Sequence, residues 1–105
     1  MVVEINIGTF DKEVVMNNGI TVVDFFADWC GPCRKLGPIL EEVEQELAEK
    51  VKFTKINTDE NIEMAKKYQV SGLPTLMVFK NGEPVERMVG LMPKSSIITN
   101  IEKHI

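Results

Sequence analysis

One mostly apolar run of seven residues constrains the fold of this chain more than any other feature. Residues 21–27, Thr-Val-Val-Asp-Phe-Phe-Ala, are mostly β-branched or aromatic, which is typical of a strand covered on both faces in a parallel sheet. Its single charged residue is Asp24. Because such a strand needs helices on both sides of its sheet, we expect an α/β fold.

The remaining patterns predict the order β-α-β-α-β-α-β-β-α. Leu36, Leu40, Val43 and Leu47 recur at helical spacing, so a long helix starts near Pro32 and ends near residue 48. Further strands are expected at 2–7, 52–57, 75–79 and 84–89, and shorter helices at 10–16, at 59–68 and after residue 93. Asn81-Gly82 predicts a hairpin. The result is a mixed central sheet flanked by helices on both faces.

Length, charge and the distribution of apolar residues exclude several classes of protein. With 105 residues, 44% of them hydrophobic, the chain is expected to form one domain spanning residues 1–105. A net charge of -4 offers no basic surface for nucleic acid. The apolar runs are too short for a membrane span, and residues 1–6 lack the pattern of a signal peptide. We therefore expect a soluble, cytoplasmic monomer, although a chain whose signal had been removed would look the same.

The two cysteines lie where the apolar strand gives way to the long helix. Cys30 and Cys33 are close enough to cycle between dithiol and disulfide. At the helix N-terminus, free amide donors and the helix dipole stabilise a thiolate, so we expect an exposed, acidic Cys30 and a less exposed Cys33 one turn later. Cys30 would then attack a partner's disulfide, and Cys33 would resolve the mixed disulfide.

Two alternatives for the cysteines are an inert buried pair and half of a zinc site. Zinc needs four ligands, and the only other candidate of the cysteine or histidine type is His104, at the far end of the chain. We therefore expect no metal.

Burying the ionised carboxylate of Asp24 in a strand costs free energy, so the carboxylate either has partners that stabilise its charge or is held protonated with a raised pKa. Either state suits a proton acceptor for Cys33. Lys55, at a similar level in the neighbouring strand, is placed to pair with Asp24 and moderate its pKa. The alternatives are a purely structural Asp24 and a solvated Lys55.

Trp29 and Pro74 are the other informative residues. Trp29, beside the cysteines, is expected to pack over the site and donate its indole N–H to an acceptor such as Asp59. Pro74 follows Gly72-Leu73 where a turn enters a strand, a position compatible with a cis bond, although local sequence alone favours trans.

The chain resembles the thioredoxin family from end to end. Five stretches carry the likeness: Val-Val-Asp-Phe-Phe-Ala-Asp-Trp-Cys-Gly-Pro-Cys-Arg at 22–34, Pro-Ile-Leu at 38–40, Lys-Ile-Asn-Thr-Asp at 55–59, Gly-Leu-Pro-Thr-Leu at 72–76 and Phe-Lys-Asn-Gly at 79–82. The resemblance implies the thioredoxin fold and a general protein disulfide reductase that donates electrons to cytoplasmic enzymes. No bound cofactor is implied beyond the redox-active Cys30–Cys33 disulfide, which a flavin-dependent, NADPH-using thioredoxin reductase would reduce again.

The resemblance also assigns roles to residues. It implies that Cys30 is the nucleophile, Cys33 the resolving thiol, Asp24 the buried proton acceptor and Lys55 its modulator. It implies a cis Pro74, with disulfide-containing protein substrates adding a strand beside it. The implied substrate surface consists of Trp29, Gly31, Pro32, Leu73, Pro74, Thr75, Gly90 and Leu91.

Three departures from the family pattern occur. Arg34 stands where lysine is commoner, Phe26 stands where tryptophan is frequent, and Gly37 precedes Pro38. A redox-independent binding subunit of a partner enzyme remains an alternative, and its test is whether a variant lacking both thiols keeps biological activity. A disulfide oxidase or isomerase is a further alternative, which the potential against glutathione decides. The Gly31-Pro32 dipeptide resembles the reducing branch of the family.

Overall fold

The computed structural model describes all 105 residues and contains one five-stranded sheet flanked by helices. The strands are β1 (Val3–Ile5), β2 (Ile20–Phe26), β3 (Val51–Asn57), β4 (Thr75–Lys80) and β5 (Glu83–Val89). The helices are α1 (Gly31–Leu47), α2 (Ile62–Lys67) and α3 (Lys94–Glu102), and a one-turn π-helix covers Asp11–Val15. The predicted order and the α/β fold class are confirmed, except that the first helix is a π-helix.

The sheet is mixed, as the sequence predicted, with strand order β1-β3-β2-β4-β5. β1, β3 and β2 are parallel, whereas β4 is antiparallel to both β2 and β5. The hairpin between β4 and β5 turns at Asn81 and Gly82, which have φ angles of 52° and 83°. Two successive positive φ angles are what a tight hairpin turn requires, so the Asn-Gly signal is confirmed.

A separate core covers each face of the sheet. β2 supplies alternate residues to the two: Ile20 and Val22 pack with α1 and α3, and Val23 and Phe25 pack with the π-helix and α2. Because side chains alternate along a strand, Asp24 points to the α1 side with Val22. This alternation places the one charged residue of β2 under the start of α1.

β1 is shorter than the predicted strand at 2–7. The Asn6 side chain ends it, since its Oδ1 accepts the N–H groups of Gly8 at 2.8 Å and Thr9 at 3.1 Å. This local turn competes with the strand ladder and leaves Ile7 exposed. None of the helices combines the length and the apolarity needed to cross a bilayer.

Candidate active site

The two cysteines lie at the carboxyl end of β2, where α1 begins. Cys30 is the N-cap of α1 and is joined to Cys33 by a disulfide, with the Cα atoms 5.2 Å apart. The N–H of Cys33 donates to the Sγ of Cys30 over 3.2 Å. Pro32 occupies the first turn, where a missing N–H costs no helical hydrogen bond. The predicted position of the pair at the helix start is confirmed.

The predicted difference in exposure between the two cysteines is wrong for this disulfide form. Cys30 is 4% exposed and Cys33 is 6% exposed. Both side chains form a small apolar cluster with Ala27, against which Phe26 and Leu73 pack. Because these neighbours cover the joined sulfurs together, exposure does not distinguish the attacking residue from the resolving one.

Asp24 is buried without a partner. Its side chain is 4% exposed, and its Oδ1 accepts no hydrogen bond. Burial raises the pKa of Asp24 to about 7, because the charged form loses its water, and the positive charge of Lys55 opposes that rise. Of the two states predicted for this carboxyl, the structure has the one with a raised pKa.

A cavity of about 230 Å³ connects Asp24 to the cysteine pair. Asp24 and Cys33 both line it, whereas Cys30 does not. The other lining residues are Phe26, Ala27, Asp28, Arg34, Gly37 and Lys55. Of the two cysteines, Cys33 alone therefore shares a cavity with the buried carboxyl.

Lys55 lies opposite Asp24 in the parallel pairing of β3 with β2, as predicted. Of the possibilities left open for Lys55, an ion pair with Asp24 is not formed, because Lys55 takes part in none of the ion pairs of the chain. Its Nζ lies instead over the ring of Phe26, 5.6 Å from the centroid. This distance is within the range of a cation–π contact.

Trp29 has the predicted partner. Its indole N–H donates to Oδ2 of Asp59 over 2.8 Å, while the side chain is 69% exposed. Asp59 is held in turn by Asn57, whose Oδ1 accepts the Asp59 N–H at 2.9 Å. The ring is therefore fixed at the surface beside the cysteines.

The Leu73-Pro74 bond is cis, as the family resemblance implied and against the local preference. Leu73 packs on the cysteine cluster, and the N–H of Gly90 donates to the carbonyl of Pro74 over 2.8 Å. The main chain of Leu73 makes no backbone hydrogen bond. Its N–H and C=O are thus available beside the disulfide.

The expected substrate surface is only partly exposed. Trp29, Pro32 and Leu91 are exposed, and Gly31, Leu73 and Gly90 are half-buried. The side chains of Pro74 and Thr75 are buried, so the part of these residues that bears on the predicted added strand is their main chain. Thr75 belongs to β4 between two strands, and its hydroxyl donates to the carbonyl of Gly72 over 2.6 Å.

Sequence reasoning missed two parts of the site. One is the contact between Phe26 and Lys55: the sequence marked Phe26 only as a departure from the family pattern, and its place at the end of β2 brings it to Lys55. The other is a groove of about 370 Å³ beside Trp29, with α2 as one wall. The apolar Ile62 in that wall is exposed, which the sequence pattern does not show.

Comparison with known proteins agrees with this geometry. The thioredoxin family model matches residues 1–103. The chain is 43% identical over 97 residues to thioredoxin 1 of Nostoc sp., covering 92% of this chain and 91% of that protein. It is 47% identical over 89 residues to thioredoxin of Bacillus subtilis (85% and 86% covered) and 41% identical over 104 residues to thioredoxin of Staphylococcus saprophyticus (99% and 98% covered). The chain therefore belongs to the thioredoxin family, and Cys30 and Cys33 form the redox-active pair of a protein disulfide reductase.

Proposed function

We propose that this chain is a general electron donor to disulfide-bonded proteins, with Cys30 as the attacking thiol and Cys33 as the resolving thiol. One observation carries these roles: the two cysteines have different surroundings. In the disulfide, Cys30 caps α1 and its sulfur accepts an N–H, whereas Cys33 lines the cavity that holds Asp24. An amide donor at a helix N-terminus stabilises a thiolate, which favours Cys30 as the nucleophile.

The reaction transfers two electrons in two exchanges. The Cys30 thiolate attacks one sulfur of the substrate disulfide, forms a mixed disulfide and releases the first substrate thiolate. Cys33 then loses its proton and attacks the Sγ of Cys30. This step closes the Cys30–Cys33 disulfide and releases the second substrate sulfur as a thiolate, which takes up a proton. The substrate is reduced by two electrons and the chain is oxidised by two.

Asp24 is the proposed acceptor of the Cys33 proton. Its carboxyl shares a cavity with Cys33, and its pKa of about 7 lets it gain and lose a proton near neutral pH. Lys55 is the proposed modulator, because its positive charge acts to lower that pKa. A carboxyl of ordinary acidity would be a weaker base for a thiol.

The proposed substrate surface surrounds the disulfide. Trp29, Pro32 and Leu91 supply exposed apolar area, with Gly31 and Gly90 between them. The unpaired main chain of Leu73, next to Pro74 and Thr75, can pair with an extended substrate segment as an added strand. A surface that binds main chain and apolar area accepts many unrelated proteins.

Family membership supports four further proposals about the chain's partner, location, domain organisation and cofactor need. We propose that a flavin-dependent thioredoxin reductase using NADPH reduces the disulfide again, and that the chain acts in the cytoplasm. We further propose that residues 1–105 form one thioredoxin domain that works as a monomer and needs no bound cofactor.

Reduction of insulin by dithiothreitol tests the activity. The wild-type chain should accelerate the precipitation of insulin, and Cys30→Ser should abolish the acceleration. Once it has been reduced and freed of dithiothreitol, Cys33→Ser should instead accumulate a covalent adduct with the substrate through Cys30, because the resolving sulfur is gone. Retained turnover in Cys30→Ser, or an adduct at Cys33 in Cys30→Ser with none at Cys30 in Cys33→Ser, contradicts the assigned roles.

A further inference from the structure

Phe26 has a position that the redox reaction above does not use. Phe26 and Asp24 are two residues apart on β2, so both side chains leave the same face of the strand. Lys55 faces Asp24 across the β2–β3 pairing. All three line the same cavity. The Lys55 ammonium therefore has two possible partners within reach, a carboxyl and an aromatic ring.

The ammonium lies on the ring. Its Nζ is 5.6 Å from the centroid of Phe26. The Lys55 ammonium makes no ion pair with Asp24, and Oδ1 of Asp24 accepts no hydrogen bond from any group. Lys55 thus contacts the ring of Phe26 and does not form the ion pair that the alignment of the two strands would allow.

Among the charged or titratable groups at this cavity, Lys55 is the cation that sets the electrostatic potential at Asp24. Cys33, from α1, is part of the disulfide and carries no proton to lose. Arg34, also from α1, is anchored by a 2.7 Å hydrogen bond from its guanidinium to the carbonyl of Asp28. Asp28 itself is exposed to solvent, where its charge is screened.

We propose that Phe26 is a positioning residue, whose ring holds the Lys55 ammonium beside the cavity and outside ion-pair distance of Asp24. Without the ring, Lys55 turns to the buried carboxylate, which has no other partner. The carboxylate would then be stabilised and Asp24 would bind a proton less readily. The consequence for the resolving step rests on the proposed role of Asp24 as proton acceptor, but the positioning itself does not.

The test is a titration of the Asp24 carboxyl by ¹³C NMR in the oxidised protein, where the joined cysteines do not titrate. Phe26→Leu should lower the pKa of Asp24 by about half a unit or more, because the cation moves closer. Phe26→Trp keeps an aromatic face for the ammonium and should leave the pKa unchanged. Lys55→Gln should raise the pKa, and adding Phe26→Leu to Lys55→Gln should change nothing further.

The double variant separates positioning from a structural effect. If loss of the ring acts by admitting water, it lowers the pKa of Asp24 equally with and without Lys55, and the proposal is overturned. An unchanged pKa in Phe26→Leu overturns it as well. Phe26→Met, which removes the ring but keeps apolar volume, should behave like Phe26→Leu and replaces it if that variant does not fold.

The titration does not depend on turnover. Failure of the wild-type chain to reduce insulin would contradict the proposed function and leave the carboxyl titration as it is. An unchanged pKa of Asp24 in Phe26→Leu would contradict the proposed role of Phe26 without bearing on the reduction of insulin.

Discussion

Replacing Asp24 by asparagine in the oxidised protein tests the electrostatic cost of the buried carboxyl. Asparagine has nearly the same shape but cannot ionise. Asp24 has a folded-state pKa of about 7 against an ordinary value of 3.8. Between those values the folded protein holds a proton that the unfolded chain has already lost, so the free energy of unfolding falls as the pH rises. The loss is complete above the folded pKa.

The size of the effect follows from the two pKa values. The full difference corresponds to about 4 kcal/mol at high pH. Most of this difference develops in the accessible range, since the loss of unfolding free energy between about pH 5 and about pH 8 is roughly 2–3 kcal/mol. The Asp24→Asn variant lacks this loss. Its unfolding free energy minus that of the wild type should therefore grow by roughly 2–3 kcal/mol over the same range.

Urea unfolding at several pH values measures this difference. The disulfide is kept intact so that neither cysteine titrates, and the Glu86–His104 contact, present in both proteins, cancels in the comparison. Asp11→Asn is the matched control, because Asp11 is exposed and the same substitution there removes no buried carboxyl. A difference for Asp24→Asn that stays constant with pH refutes a raised pKa. One that shrinks as the pH rises shows a carboxylate stabilised by Lys55 in the folded state.

Other predictions concern the turns and the surface of the site. Gly82→Ala should lower the unfolding free energy by about 1–3 kcal/mol in urea, since the new Cβ would overlap the carbonyl of Val15 at a positive φ. Gly37→Ala should instead raise the unfolding free energy by about 0.5–1 kcal/mol, because Gly37 lies inside α1 and nothing lies near the added methyl. A stabilising Gly82→Ala together with a destabilising Gly37→Ala would contradict these contacts. Trp29→Phe should lower the unfolding free energy by no more than about 1 kcal/mol, because the lost hydrogen bond to Asp59 is exposed. Trp29→Ala should also raise the KM for insulin, because it removes exposed contact area. An unchanged KM would contradict the placement of Trp29 on the substrate surface.

The fold could be predicted because its signals are local. The apolar run of β2, the leucine spacing of α1 and the Asn81-Gly82 turn each act over a few residues and agree with one another. The length of β1 could not be predicted, because the side-chain turn at Asn6 competes with strand pairing on energies of similar size.

The site could be predicted less completely, because its details depend on contacts between distant parts of the chain. The placement of the cysteines and the bond from Trp29 to Asp59 followed from the change of strand pattern to helix pattern and from the residues around the cysteines. The burial of both sulfurs depends on Leu73, far along the sequence, and the contact of Lys55 with Phe26 depends on the exact register of two strands. No periodic pattern encodes either contact.

The alternation of β2 connects the fold to the chemistry. Its even-numbered positions face α1, so the same pleat that packs Val22 into the core also sets Asp24 and Phe26 against the cavity of Cys33. A slip of one residue would turn Asp24 into the opposite core, among Phe10, Tyr68 and Phe79, away from Cys33 and Lys55. The carboxyl would still be buried, but it would lie near neither Cys33, whose proton it is proposed to accept, nor Lys55, whose charge lowers its pKa. The strand register is therefore as much a part of the proposed proton transfer as the carboxyl itself.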